Sequence, residues 1–275
     1  MGLGKEYKLS EEDFQRIVAY ARNHYGIELG QKRVIVEGRL KNYLAAHGFN
    51  SYEEYINAVI ADERGTEAKS LVNLLTTNHT FFMREFEHFE YLREVVLPQL
   101  KRREERTKDL RVWCAAASSG EEPYTIAMVL MDFFGLEHHE WDTTVLATDI
   151  STNVLEKALK GVYADEQLVN LPEVWRKRYF KQYDAGHSVV KENLREQVLF
   201  RQFNLMDPLP FRRKLHVVFL RNVMIYFDED TKHELVDRIY EFMESGGYLF
   251  IGTTETIDKG RTRFQYVRPS IYRKP

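Results

Sequence analysis

The stretch LRVWCAAASSGEEPYTIAM, Leu110–Met128, decides the fold of this chain. Its first part is apolar and β-favouring, its last part favours helix, and small residues join them. That is the strand–turn–helix opening of a βαβ unit. Such turns usually carry several glycines and bind phosphate, because free amides and the positive dipole end of a helix attract anions. Here a single glycine, Gly120, is followed at once by Glu121 and Glu122. Two carboxylates repel a pyrophosphate, and backbone bearing side chains obstructs its approach. Either the turn suits a cationic ligand, or the glutamates only complement the dipole of the helix they open.

Downstream, the runs TTVLATDI, VLFRQFNL, LHVVFLRN and GGYLFIGTT alternate with helical stretches such as DEDTKHELVDRIYEFM. The alternation predicts an α/β fold with a mainly parallel sheet and right-handed crossovers. Over 161–201 it is interrupted by a segment too long for a simple connection, which predicts an insertion with a short antiparallel piece around Ser188 to Phe200. Upstream, Phe14, Ile17, Val18 and Ala21, then Tyr55, Ile56, Val59 and Ile60, recur at helical spacing. Ser10 with Asp13 fits an N-capping box, and Gly26, Gly48 and Gly65 punctuate the pattern. The expected organisation is an all-α domain over 1–76, a linker helix over 77–106 contributing to the site, and an α/β domain over 107–275. Phe81, Phe82, Phe86 and Phe89 in the linker are expected to pack between the domains.

Ligands on such sheets bind beyond the C-terminal strand ends, so the residues there carry the chemistry. The second strand ends at Asp149, placed to accept hydrogen bonds from a ribose diol. A nucleoside with a cationic tail and no phosphate satisfies both this acid and the glutamates of the turn; S-adenosylmethionine is such a molecule. Asn204 and Leu205 end the third strand, where an amide and backbone groups meet an adenine edge or merely cap a turn. Arg221, Asn222 and Tyr226 follow the apolar fourth strand. Asn78, Thr80 and Arg84, interleaved with the linker phenylalanines, are site groups or else helix caps and an ion-pair partner.

Composition excludes other classes. Lysine and arginine total 39 against 42 acidic residues, so no global charge suits nucleic acid or an anionic membrane. No apolar run is long enough to span a bilayer and no signal-peptide core opens the chain, so a cytoplasmic location is expected. Met1-Gly2 lacks the serine or threonine that myristoylation wants, Glu6 standing there. The one cysteine, Cys114, makes no disulfide, zinc cage or iron–sulfur cluster and reads as a packed side chain. The nine histidines show no ligand spacing, so no metal is expected.

Taken together, TTNHTFFMRE, AAASSGEEPYTIAM, ATDIS with VLEKA, FNLMDPLPF and VVFLRNVMIYF resemble the chemotaxis receptor methyltransferases of the CheR type. The resemblance covers nearly the whole chain. It implies a Rossmann-like class I methyltransferase fold preceded by the all-α domain and carrying a small antiparallel β insertion. It also implies methyl transfer from S-adenosylmethionine to receptor glutamate side chains in chemotaxis adaptation, giving methyl esters and S-adenosylhomocysteine. By the same resemblance Asn78, Thr80, Arg84, Glu122, Asp149, Asn204, Leu205, Arg221, Asn222 and Tyr226 surround the cofactor, with Glu121 adjacent and Arg84 and Tyr226 nearest the methyl group.

The implied partner is the cytoplasmic helical bundle of a methyl-accepting receptor, met by a monomer. In some members the insertion docks a C-terminal receptor tether, but residues 184–193 are short here and carry one glycine, which argues against docking. Lys32, Arg33, Arg39 and Lys41 either attract an acidic receptor helix or form a solvated face. Two rivals are methyl transfer to a nucleic-acid base or small molecule, and a non-catalytic adaptor. Against the first, Arg221-Asn222-Val223-Met224 stands where amino-methylating nucleic-acid enzymes carry Asn/Asp-Pro-Pro-aromatic, and no basic stripe tracks phosphates.

Overall fold

The structure, a computed structural model, describes residues 7–30, 32–61 and 65–275. The Met1-Gly2 and Glu6 reading falls outside them. The chain forms two compact units, one running to Thr77 and including Tyr226–Thr231, the other comprising Asn78–Ile225 and Lys232–Pro275.

The first unit is helical: α1 Glu11–Tyr25, α2 Arg33–His47, α3 Tyr52–Ala61 and α4 Thr66–Leu75. Ser10 caps α1 by accepting the Asp13 amide at 3.0 Å, and Gly26 and Gly48 close α1 and α2 in the left-handed conformation that glycine adopts without strain. Phe14, Ile17, Leu40, Tyr55 and Leu71 meet in its core. Arg39 is half-buried and donates to the carbonyls of Leu74, Leu75 and Thr76 and to the Thr77 hydroxyl, so it caps the C-terminus of α4. Arg33 pairs with Glu11 and donates to the Leu9 carbonyl. Arg39 thus serves a helix end of its own unit, while Arg33 pairs at the unit's solvated surface. Arg39→Ala is expected to lower the unit's stability by about 1 kcal/mol in urea unfolding. An unshifted midpoint would contradict the cap.

The second unit contains ten strands: β1 Val112–Cys114, β2 Val145–Asp149, β3 Val162–Ala164, β4 Phe180–Asp184, β5 His187–Val190, β6 Val198–Gln202, β7 Leu215–Leu220, β8 Met243–Ile251, β9 Gln265–Arg268 and β10 Ile271–Arg273. The main sheet has seven strands in the order β6-β2-β1-β7-β8-β10-β9. Its first five are mutually parallel, β10 runs against β8, and β9 against β10. This is the mainly parallel sheet expected from the alternation. β1 and β7 are buried at every position because the sheet is covered on both faces. From β1 the chain moves to β2 on one side, and later to β7 on the other. The order reverses between β1 and β7, where the ends of adjacent strands leave a crevice.

Seven further α-helices lie among the described residues: α5 Glu87–Tyr91, α6 Leu97–Arg103, α7 Glu121–Phe134, α8 Thr152–Lys160, α9 Glu173–Tyr179, α10 Glu192–Arg195 and α11 Glu229–Glu241. A π turn, Leu92–Val96, joins α5 to α6. Residues Glu121 to Met131 of α7 are all buried, as a helix apolar on every side must be.

Several expectations are corrected. The linker is not helical from residue 77: Met83 and Glu85 have φ of 62° and 55°, so helix begins only after the bend around Arg84. Phe82 and Phe89 belong to the core of the α/β unit, whereas Phe81 and Phe86 are exposed. The antiparallel piece is β3-β5-β4, which ends at Val190; Val198–Gln202 is β6, parallel to β2 at the edge of the main sheet. Alternating side chains mark a strand but not the sheet it joins.

Candidate functional site

The turn after β1 is built from backbone bonds to its neighbours. The Ala115 amide donates to Phe219 of β7 and the Ala117 amide to Thr148 of β2, so the chain leaves β1 tied to both sides of the crevice. Gly120 sits at φ 99°, and a Cβ there would fall 2.8 Å from the Tyr163 hydroxyl and 2.9 Å from Ala158 Cβ. Tyr163 in turn donates to the Ser119 carbonyl at 2.7 Å. Glycine is therefore required by conformation and by space. Gly120→Ala is expected to cost about 2–4 kcal/mol in chemical denaturation. An unchanged midpoint would contradict this packing.

Asp149 ends β2 with a buried carboxylate. Its two oxygens accept the Ser118 and Ser151 amides, each at 2.9 Å. Burial pushes its pKa up against the lowering effect of those amides. Glu121 is 1% exposed, accepts the Ser119 hydroxyl at 2.7 Å, and is likewise raised by burial. Among the described residues no lysine or arginine lies at ion-pair distance from either. Two buried acids thus stand at the rim of the sheet outside any ion pair among the described residues, Lys157 lowering Glu121 only slightly from farther off.

Glu122 and Arg221 do pair. Arg221 Nη1 donates to Glu122 Oε2 at 2.5 Å, and Cys114 Sγ donates to Oε1 at 3.3 Å. Arg221 also donates through Nη2 to the Arg84 carbonyl and lies 3.2 Å from Glu85 Oε2. The pKa values of the two acids sharing this guanidinium are shifted in opposite directions. Burial raises Glu122 more than Arg221 lowers it, whereas at Glu85 burial is outweighed by Arg221 and the Asn222 amide. The thiol of Cys114 is pushed well up by burial, consistent with its expected packing role. His88 beside them is pulled down to about 4 by burial and by Arg221, so it is neutral near pH 7. Arg221 Nε is a buried donor with no partner.

Other expected residues are placed as follows. The Asn204 side chain accepts the Met206 amide at 3.1 Å, and the preceding Phe203 amide donates to the Asp149 carbonyl, tying this turn to the end of β2. Leu205 is buried. The Asn78 carbonyl accepts the Ser118 hydroxyl at 3.0 Å, and Thr80 is half-buried nearby in sequence. Arg84 is half-buried; its Nη1 donates to the His79 carbonyl at 2.8 Å, and no carboxylate among the described residues pairs with it. The salt-bridge alternative for Arg84 is therefore removed. Tyr226 belongs to the helical unit, where its hydroxyl donates to the Thr77 carbonyl at 2.8 Å and accepts the Thr77 amide at 3.0 Å.

Three contributors escape a reading of the sequence. Glu85 lies inside the linker motif, Glu255 just beyond β8, and Arg238 on α11. Arg238 holds the turn after β6 by donating to the carbonyls of Leu205, Met206 and Asp207. Only the position of Glu255 past an apolar strand end was a usable signal. Among the described residues no group of three or more histidine, cysteine, aspartate or glutamate side chains is arranged to hold a metal ion. Among the described residues no helix is long and apolar enough to cross a membrane.

Two family models match the chain. The all-alpha domain of the CheR methyltransferases covers residues 12–76, and the CheR methyltransferase SAM binding domain covers residues 78–272. A chemotaxis protein methyltransferase of Borreliella burgdorferi is 36% identical over 270 residues, spanning 97% of this chain and 95% of the relative. One of Escherichia coli is 36% identical over 273 residues, spanning 96% and 91% respectively. Chemotaxis protein methyltransferase 2 of Pseudomonas aeruginosa is 35% identical over 273 residues, spanning 98% and 95%.

Proposed function

This chain belongs to the CheR methyltransferase family, and from that premise we propose that it methylates glutamate side chains of methyl-accepting chemotaxis receptors. Membership makes it an S-adenosylmethionine-dependent methyltransferase connected with chemotaxis, with the class I fold; the glutamate acceptor and the ester product are our reading. The observation that supports it is the pair of buried carboxylates, Asp149 and Glu121, at the rim of a parallel sheet, neither held in an ion pair among the described residues.

The residues present suit S-adenosylmethionine. Asp149 keeps free lone pairs for the ribose hydroxyls, Glu121 and Glu122 favour the cationic end, and the unpartnered Nε of Arg221 is a donor for a carboxylate. Asn204 and Leu205 would border the adenine, with Asn78, Thr80 and Asn222 completing the surround. When bound, S-adenosylmethionine supplies a methyl group on cationic sulfur, which a carboxylate oxygen takes as the carbon–sulfur electron pair returns to sulfur, leaving a methyl ester and S-adenosylhomocysteine.

The acceptor needs no general base, since a glutamate with a pKa of about 4.3 is already ionised at neutral pH. Its weakness is solvation, so the protein's task is to orient it and exclude water. Arg84, half-buried and without an acidic partner, is the group proposed to hold the incoming carboxylate. The enzyme is proposed to act as a cytoplasmic monomer on the receptor's helical bundle, without a metal. Labelled-methyl transfer to a receptor cytoplasmic fragment tests the reading. Base-labile label that disappears when the fragment's glutamates become alanine supports it; label that is base-stable, or that remains in that fragment, overturns it.

A further inference from the structure

Glu85 is placed in no functional set by the motif reading, yet it joins three separated chain segments. Its Oε1 accepts the Asn222 side-chain amide at 3.2 Å, its Oε2 accepts the Thr253 main-chain amide at 3.1 Å, and Oε2 faces Arg221 Nη2 at 3.2 Å. Both Glu85 and Asn222 are in the left-handed region, with φ of 55° and 56°, which side-chain-bearing residues adopt only when surroundings hold them there. Glu255 grips the same turn from behind by accepting the amides of Asn222, Ile225 and Gly252. The fit is tight: a Cβ on Gly252 would fall 2.5 Å from Asn222 Nδ2.

We infer that Glu85 is a positioning residue: through Asn222 and Arg221 it sets the loop after β7 that faces the cofactor, and through the bond from Arg221 to the Arg84 carbonyl it sets the main chain carrying Arg84. The inference rests on the function proposed above. Its chemistry is specific to a carboxylate, because Arg221, Asn222 and Thr253 all present donors. A glutamine of the same shape has one acceptor oxygen, and its amide nitrogen would face a donor. Of these donors Arg221 is buried and Asn222 half-buried, so losing the carboxylate leaves them short of an acceptor and loosens the turn.

The test compares Glu85→Gln with wild type and with Glu87→Gln, a change at an exposed neighbour in the sequence. Glu85→Gln is expected to raise KM for S-adenosylmethionine about tenfold with kcat changed less than about threefold. It is also expected to speed hydrogen exchange at the Asn222 and Thr253 amides in the ligand-free protein, leaving β1 amides unaltered. Glu87→Gln is expected to match wild type in both. Gly252→Ala, which presses on the Asn222 amide from the other side, should give the same KM and exchange signature should Glu85→Gln not fold. Wild-type KM and wild-type exchange in Glu85→Gln, or in Gly252→Ala where only that variant folds, would overturn the inference. Failure of wild type itself to take up the cofactor would instead sink the proposed function, and exchange at Asn222 and Thr253 would still decide the role of Glu85.

Discussion

Replacing Asp149 by alanine is expected to weaken S-adenosylhomocysteine binding by about 10²–10³-fold, since hydrogen bonds to an ionised group are the stronger kind and two hydroxyls lose their acceptor together. The size follows from the burial of the carboxylate and from the absence of a nearby cation to assume its place. The substitution also releases the Ser118 and Ser151 amides, so the turn after β1 loses one of its ties. Asp149→Asn separates these effects. An asparagine keeps one acceptor oxygen but no charge, so its loss should be intermediate, about tenfold. Calorimetric titration of both variants is the measurement, with ligand-free melting to register damage to the fold. Wild-type affinity in Asp149→Ala would reject the ribose assignment.

The second large effect concerns turnover. Arg84→Ala is expected to lower kcat by about 10²–10³-fold while the dissociation constant for S-adenosylhomocysteine stays within about threefold, because the lost interaction orients the acceptor and not the cofactor. The variant is interpretable because the main chain at residue 84 is held independently, its carbonyl accepting Arg221 Nη2. The side chain's own bond, to the His79 carbonyl, is exposed and weak by comparison. Arg84→Lys keeps the charge but not the planar fork, so it should recover only part of the rate. Turnover near wild type in Arg84→Ala, measured as label transferred at saturating cofactor, would remove Arg84 from the mechanism.

How far such a site is legible in a sequence depends on whether its signal is local. The turn at Gly120 was legible because strand, small residues and helix follow one another within a few residues. Asp149 was legible because an acid at the end of an apolar run declares itself. The parallel sheet followed from alternation, and the α1 and α2 termini from Ser10, Gly26 and Gly48. What escaped was long-range. Glu85 reads as one more charge in a charged segment, and only the return of β7 brings Arg221 and Asn222 to it. Arg39 looked like a surface cation because nothing near it in sequence reveals that the end of α4 will need its donors. The insertion was displaced for another reason: β4 is exposed at all but its first residue, so no apolar alternation marks it. β9, exposed throughout, escaped in the same way. The linker phenylalanines were grouped by composition, whereas the bend at Met83 and Glu85 sends Phe82 into the core and leaves Phe81 and Phe86 outside.

The central claim is that buried acids at the rim of this sheet choose a cationic adenosine compound that carries no phosphate. Calorimetric titration of the whole chain with S-adenosylmethionine, and in parallel with ATP and NAD, tests it most directly. Saturable uptake of S-adenosylmethionine with no detectable heat from either phosphate-bearing nucleotide is the expected result. Binding of ATP or NAD in its place, or no uptake of S-adenosylmethionine, would contradict the account.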